Sequence, residues 1–285
     1  ILVLNWLKKK RSFYMYKSNI LWISDLIYRI KDNARMLFLV TILSAVAFTA
    51  ITGVYALSSV VRDESLKDNP FALTYTSYSS NDQEVEQVKI IDEMLENHGF
   101  KYEKYKSEVI KQVSKDNYTV HIIKQSDYNK RASALGLDLV ALDKDQALLV
   151  PVYVRFDPKR DKTLIQKNIS LDEGQINLEV VGVAPKVIFY SGLFRNLVVV
   201  NDETYNEIKY IDERYHSYSY DIYDWLNTLE VTEKLREILG VGEHGKYFWS
   251  TRIEGYMLEN QNKKLFLYVG FFLGAIFFLG ASSFL

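Results

Sequence analysis

The sequence predicts a membrane protein in which transmembrane α-helices flank an α+β extracellular domain. Three observations carry that fold class. First, 26 consecutive residues between Arg35 and Arg62 carry no charge, and neither do the 21 that follow Lys264. Stretches of that length suffice to span the roughly 30 Å hydrocarbon core of a bilayer. Second, charge is unevenly placed. Residues 8–35 hold eight Lys/Arg against Asp25 and Asp32, a net of +6, whereas residues 63–264 carry a net of −8. Third, the long segment between the apolar stretches alternates period-2 and period-3.6 patterns. The mean hydropathy of −0.11 hides this division because it averages over 285 residues.

Taken in order, Ile1–Leu7 is apolar and stops at Lys8-Lys9-Lys10-Arg11. It reads as the end of a transmembrane helix whose start lies upstream. Basic residues follow this apolar run and do not precede it, which excludes a secretory signal peptide. Residues 8–35 are a short, strongly basic segment, and the positive-inside rule puts such a loop in the cytoplasm. Within it Ile20, Ile23, Ile27 and Ile30 recur at helical spacing, with Arg29, Lys31 and Arg35 near the end. That pattern predicts an amphipathic helix in the membrane interface, the alternative being a plain extension of the next helix. Residues 36–61 are the first full crossing, residues 62–264 the extracellular domain, and residues 265–285 a second crossing cut short by the end of the sequence.

Inside the extracellular domain the patterns predict strands over Phe71–Tyr78, Tyr102–Val113, Tyr118–Lys124, Gln146–Val154, Ile176–Val183, Asn196–Val200 and Tyr218–Tyr223. They predict helices over Glu84–Asn97, from Ser126 to Gly136, over Glu203–Glu213 behind an Asp202 cap, and over Asn227–Leu239. Val85, Val88, Ile91 and Leu95 line one side of the first helix. Interleaved strands and helices imply an α+β domain. With no cysteine in the chain, disulfides, thiolate metal sites and Cys nucleophiles are excluded, and packing alone must hold the domain together.

The sequence also resembles a known family. The cytoplasmic end KDNARM (31–36), the crossing LFLVTILSAVAFTAITGVYAL (37–57) and the terminal LFLYVGFFLGAIFFLGASSFL (265–285) are similar to the FtsX-like ABC transporter permeases. So are SDYNKRASALGL (126–137), DKDQALLVP (143–151) and YDIYDWLNTLEVTEKL (220–235). The nearest resemblance is to the bacitracin-export type, which protects Gram-positive bacteria from peptide antibiotics. It implies a transporter permease without an ATPase of its own. The partners it implies are a separate ABC ATP-binding subunit and a membrane sensor histidine kinase. The implied ligand is a peptide antibiotic or its complex with undecaprenyl pyrophosphate. It also implies contact with membrane lipid, no cofactor and no nucleic acid. Two other functions share the layout: a two-helix sensor of the histidine-kinase kind, and an FtsX-like permease that activates cell-wall hydrolases or moves lipoproteins.

Few motifs carry chemistry. Gly240–Tyr247 matches GxxxxGK, yet Tyr247 stands where a phosphate-binding loop needs Ser or Thr, and a helix precedes it where a strand is required. His98, His121, His216 and His244 show no metal-ligand spacing, so no metal site and no catalytic residue is expected. Gly270-Phe-Phe-Leu-Gly274 is a GxxxG match that would let helices approach closely. The segment Tyr205–Trp225 is different in kind, with seven aromatic residues among five carboxylates. Within it Tyr218, Tyr220, Asp221, Tyr223, Asp224 and Trp225 are the candidate peptide-binding residues. Rings supply contact area and carboxylates attract a cationic peptide. The alternative is that these tyrosines fill core and rim positions of a twisted strand.

Overall fold

The computed structural model describes residues 67–113, 118–153, 168–242 and 245–282, together with isolated residues and short runs between 21 and 56. The chain divides into two compact units, Val61–Asn260 and Ile1–Val60 with Gln261–Leu285. The predicted segment 1–7 lies outside the described residues, and so do most of 8–35 and much of 36–61.

The larger unit is built on one nine-stranded sheet. Its strands are β1 (Leu73–Tyr78), β2 (Tyr102–Val113), β3 (Thr119–Lys124), β4 (Gln146–Val150), β5 (Asn168–Leu171), β6 (Ile176–Val183), β7 (Leu197–Val200), β8 (Glu213–Ile222) and β9 (Tyr247–Thr251). The helices are α1 (Glu84–Asn97), α2 (Gln125–Ala134), α3 (Asp202–Glu207), α4 (Leu229–Leu239) and α5 (Arg252–Ser282). Strand order is β5-β6-β4-β7-β3-β2-β8-β1-β9. The β3/β7 and β4/β6 pairs are parallel and the remainder antiparallel.

Alternation along the strands gives the sheet two buried faces. On the first face, Leu73, Tyr75, Tyr218 and Tyr220 lie under Val88, Ile91 and Leu95 of α1 and Val231, Leu235 and Leu239 of α4. Further along, Ile110, Ile122, Val198 and Val200 meet Tyr205 and Ile208. On the opposite face, Val109, Ile123, Val199 and Tyr215 pack on Tyr128 and Ala132 of α2, and on Ile188, Phe189 and Phe194. A unit with cores on both faces has what it needs to fold by itself. Residues 67–260 expressed alone should therefore show a mixed helix-and-strand circular dichroism spectrum and one cooperative thermal transition. A soluble chain with no such transition would count against the unit.

Several elements differ from the sequence reading, each for a tertiary reason. The helix expected over Glu203–Glu213 stops at Glu207, because Glu213–Ile222 is a ten-residue strand paired with both β2 and β1. Asn201, not Asp202, caps α3 by accepting from the Glu203 amide at 2.9 Å. Asp202 instead accepts from the Ser126 amide at 2.9 Å, so a distant carboxylate holds the first turn of α2, which begins at Gln125. The strand expected over Gln146–Val154 ends at Val150, and β5 and β9 went unpredicted. Val85, expected on the buried side of α1, is 82% exposed. It sits in the first turn, where Glu84 takes the Tyr218 hydroxyl and Gln87 takes that of Tyr75. The last helix, α5, begins at Arg252, thirteen residues before the apolar run at Leu265.

In the smaller unit the described residues between 21 and 56 are helical. A Cβ at Gly274 would lie 2.8 Å from Ile51 Cδ1, so a larger residue here requires the end of that side chain to shift. Gly270 is buried with it, while Phe271 and Leu279 are about 70% exposed. Among the described residues, no helix is long and apolar enough to cross a membrane.

Candidate functional site: an acidic aromatic surface

The six candidate residues lie at one end of the sheet, where β8 finishes, β2 starts and the chain enters β1 and leaves β9. Strand alternation separates them. Tyr218 and Tyr220 point into the first face beneath α1. The Tyr218 hydroxyl donates to Glu84 Oε1 at 2.6 Å, and the Tyr220 hydroxyl to Asp92 Oδ1 at 2.9 Å. Burial, reinforced by those carboxylates, pushes both phenols far up from their ordinary value. Tyr220 is completely buried. These two residues hold the platform together.

Asp221 falls on the opposite face and stands directly across from Glu103 of β2. Two like charges in that position repel. Each is answered differently. Asp221 lies in the field of Arg252, a guanidinium whose pKa burial lowers and Asp221 raises. Glu103 accepts two phenol hydroxyls, from Tyr105 at 2.5 Å and from Tyr223 at 3.1 Å. Those bonds, Tyr105 first, hold its carboxyl below the usual range. They push Tyr105 up to about 12 in return. No cation among the described residues forms an ion pair with Glu103. Tyr223 is 71% exposed. Beside it Asp224 is exposed and accepts from Asn227 Nδ2 at 2.8 Å.

Trp225 opens a short 3-10 turn, Trp225–Asn227, with Thr228 Oγ1 donating to its carbonyl at 2.7 Å. Its ring meets Tyr256 of α5 edge-on at 5.7 Å, and the Arg252 guanidinium lies 5.4 Å from its centre. The indole face is thus already occupied by an internal cation.

The exposed site therefore consists of Glu103, Tyr105, Asp221, Tyr223 and Asp224, whereas Trp225 packs against the core of the first face. Chemically it is a carboxylate pair with one member pre-oriented by two phenols. Such a surface suits an ammonium or guanidinium group. Sequence reasoning missed Glu103 and Tyr105, which lie over a hundred positions before Tyr223. Only the ten-residue register between β2 and β8 brings them there.

The other motifs have structural surroundings. Gly240 is the left-handed C-cap of α4 at φ +67, a conformation that favours glycine, and a strand follows it. Lys246 pairs with Asp82 at 3.0 Å. Glu243 and His244 lie outside the described residues. His98 and His121 bond to the carbonyls of Met94 and Arg195, and His216 faces Glu84 at 2.9 Å. Burial lowers the pKa of His121. Among the described residues no group of acidic and histidine side chains is placed to hold a metal ion.

Comparison with known proteins adds relatives. No family model matches the chain. It is 34% identical over 295 aligned positions to the ABC transporter permease protein YxdM of Bacillus subtilis (strain 168), covering all of this chain and 45% of that protein. It is 24% identical to the ABC transporter permease YvcS of the same strain, covering 98% of this chain and again 45% of the relative. The chain thus spans about half the length of the curated relatives it matches. Among solved structures, the periplasmic region of MacB from Actinobacillus actinomycetemcomitans aligns over 70% of this chain and 95% of that one. Its identity is 10% and its TM-score 0.25.

Proposed function

We propose that this chain, whose homologues along its whole length are ABC transporter permeases, is the part of such a permease that carries an extracellular ligand-binding domain. In this reading residues 8–35 are cytoplasmic, residues 36–61 and 265–285 cross the cell membrane, and residues 62–264 face outward. The exposed apolar side chains of the smaller unit, Phe48, Tyr55, Phe271 and Leu279 among them, then meet lipid or further helices of the same permease. ATP is hydrolysed by a separate subunit. The transporter is of the bacitracin-export type, conferring resistance to peptide antibiotics and sensing them together with a sensor histidine kinase. The ligand is the drug or its complex with undecaprenyl pyrophosphate.

The observation that supports a cationic peptide as ligand is the Glu103–Asp221 pair. Two carboxylates held face to face on an acidic domain gain most from an arriving positive charge. The test is the association rate of bacitracin with the permease and its ATP-binding subunit in lipid nanodiscs, measured across a salt series. Changing Glu103→Gln, Asp221→Asn and Asp224→Asn together should slow association roughly tenfold at low salt and flatten the salt dependence. Equal rates and equal salt slopes for the two proteins would show that the surface is structural.

A further inference from the structure

Arg252 occupies an unusual junction. Its backbone amide donates to the Ala72 carbonyl at 2.8 Å, closing the sheet at the point where the chain enters β1. Its guanidinium donates through Nε to the Asn69 carbonyl at 3.0 Å, and through Nη2 to that of Pro70. Ser250 Oγ adds a bond to Asn69 Oδ1 at 2.6 Å, so the entering segment is held from two neighbouring positions of the leaving chain. Arg252 is also the first residue of α5. That first turn is fixed further by Glu254, which takes Arg236 of α4 at 2.8 Å and the Thr251 hydroxyl at 2.7 Å. On its remaining side the guanidinium covers the Trp225 ring and feels Asp221.

We propose that Arg252 is a positioning residue that couples occupancy of the acidic aromatic surface to the setting of the two ends of the domain, Asn69–Ala72 and the first turn of α5. This rests on the reading of that surface as the ligand site. A cation brought to Glu103 and Asp221 competes with Arg252 for the Asp221 charge and repels its guanidinium. Two backbone carbonyls keep the guanidinium from leaving, so the displacement is felt by the segments those carbonyls and its own backbone belong to. A planar fork can hold two carbonyls and lie on an indole at once, and the ammonium of lysine cannot. The coupling is reciprocal: whatever moves the chain ends alters affinity at the surface.

Hydrogen exchange of the Arg252–Tyr256 amides, in the full permease with its ATP-binding subunit in nanodiscs, reads the coupling directly. Saturating bacitracin should change exchange in this segment roughly tenfold in the wild type. Arg252→Lys should bind bacitracin within about threefold of wild type yet lose that response, since a point charge is kept and the fork is not. An unchanged response in Arg252→Lys overturns the proposal, and so does bacitracin binding to wild type with no response at all. If the lysine variant loses its fold by circular dichroism, Asp221→Asn decides. It should reproduce the bound-state exchange pattern without any bacitracin, and a wild-type pattern there refutes the coupling. Absence of bacitracin binding to wild type refutes the ligand surface itself, and the coupling falls with it.

Discussion

Replacing Arg131 with alanine should cost residues 67–260 about 3–5 kcal/mol of stability, because it opens a large cavity and leaves buried serine and carbonyl groups without their donor. Arg131 has no exposed surface. Its Nε donates to Ser107 Oγ at 2.8 Å and its Nη1 to Ser219 Oγ at 2.9 Å, with weaker bonds to the Ile188 and Ser217 carbonyls. The rings of Phe189 and Phe71 flank the guanidinium at 4.0 and 5.3 Å. Burial pulls its pKa down to about 9, which still leaves it charged at neutral pH. One side chain of α2 thereby ties β2, β8 and the segment before β7 together. Alanine removes all of these bonds and leaves a cavity where the side chain lay. Methionine refills the volume and removes the buried charge, so Arg131→Met should lose clearly less than Arg131→Ala. Urea titration of the three proteins measures this. A loss below about 1 kcal/mol for alanine would mean that the serines and carbonyls find other partners.

Asp172→Ala should be the next most damaging change, at about 2–4 kcal/mol, because a buried carboxylate shared by three donors is lost, the buried Gln112 amide among them. The carboxylate receives Gln112 Nε2 at 2.5 Å, the Lys209 amide at 2.8 Å and the Tyr210 amide at 3.2 Å. It thereby joins the turn after β5 to the end of β2 and to the chain before β8. Asp172 also adopts φ +49, and the following Glu173 φ +57, a region in which Asp and Asn are tolerated better than Ala. Asp172→Asn keeps the backbone preference and one acceptor oxygen, and should cost roughly half as much. The same urea series decides. Equal losses for asparagine and alanine would show that both oxygens are needed and that backbone conformation contributes little.

Neither Arg131 nor Asp172 announces itself in the sequence. An arginine in SDYNKRASALGL looks like an ordinary solvated helix residue, and an aspartate before Glu173-Gly174 looks like a turn former. Both became structural centres because distant strands closed around them. The site behaves similarly. Its aromatic and acidic composition was legible between Tyr218 and Trp225, and so was the alternative of core and rim tyrosines. Tyr218 and Tyr220 took the core places, whereas Asp221, Tyr223 and Asp224 stayed at the surface. Glu103 and Tyr105 could not be assigned to that surface before the register of β2 against β8 was known.

What the sequence determined by itself was local. The apolar spacing in Glu84–Asn97 and the alternation in Ile176–Val183 set elements with the expected limits. Each contains enough periodic residues to define a buried face without help from elsewhere. The acidic balance of the domain and the absence of cysteine likewise needed no structure. Tertiary structure decided the segments whose local preferences were divided. The helix expected over Glu203–Glu213 ended at Glu207, and the strand expected from Tyr218 began already at Glu213, because β1 and β2 both offered it hydrogen-bonding edges. Once it was a strand, period-2 geometry sent alternate residues to opposite faces and split one aromatic run between core and surface. Pairing between strands depends on chain segments a hundred residues apart, and no window along the sequence contains both partners.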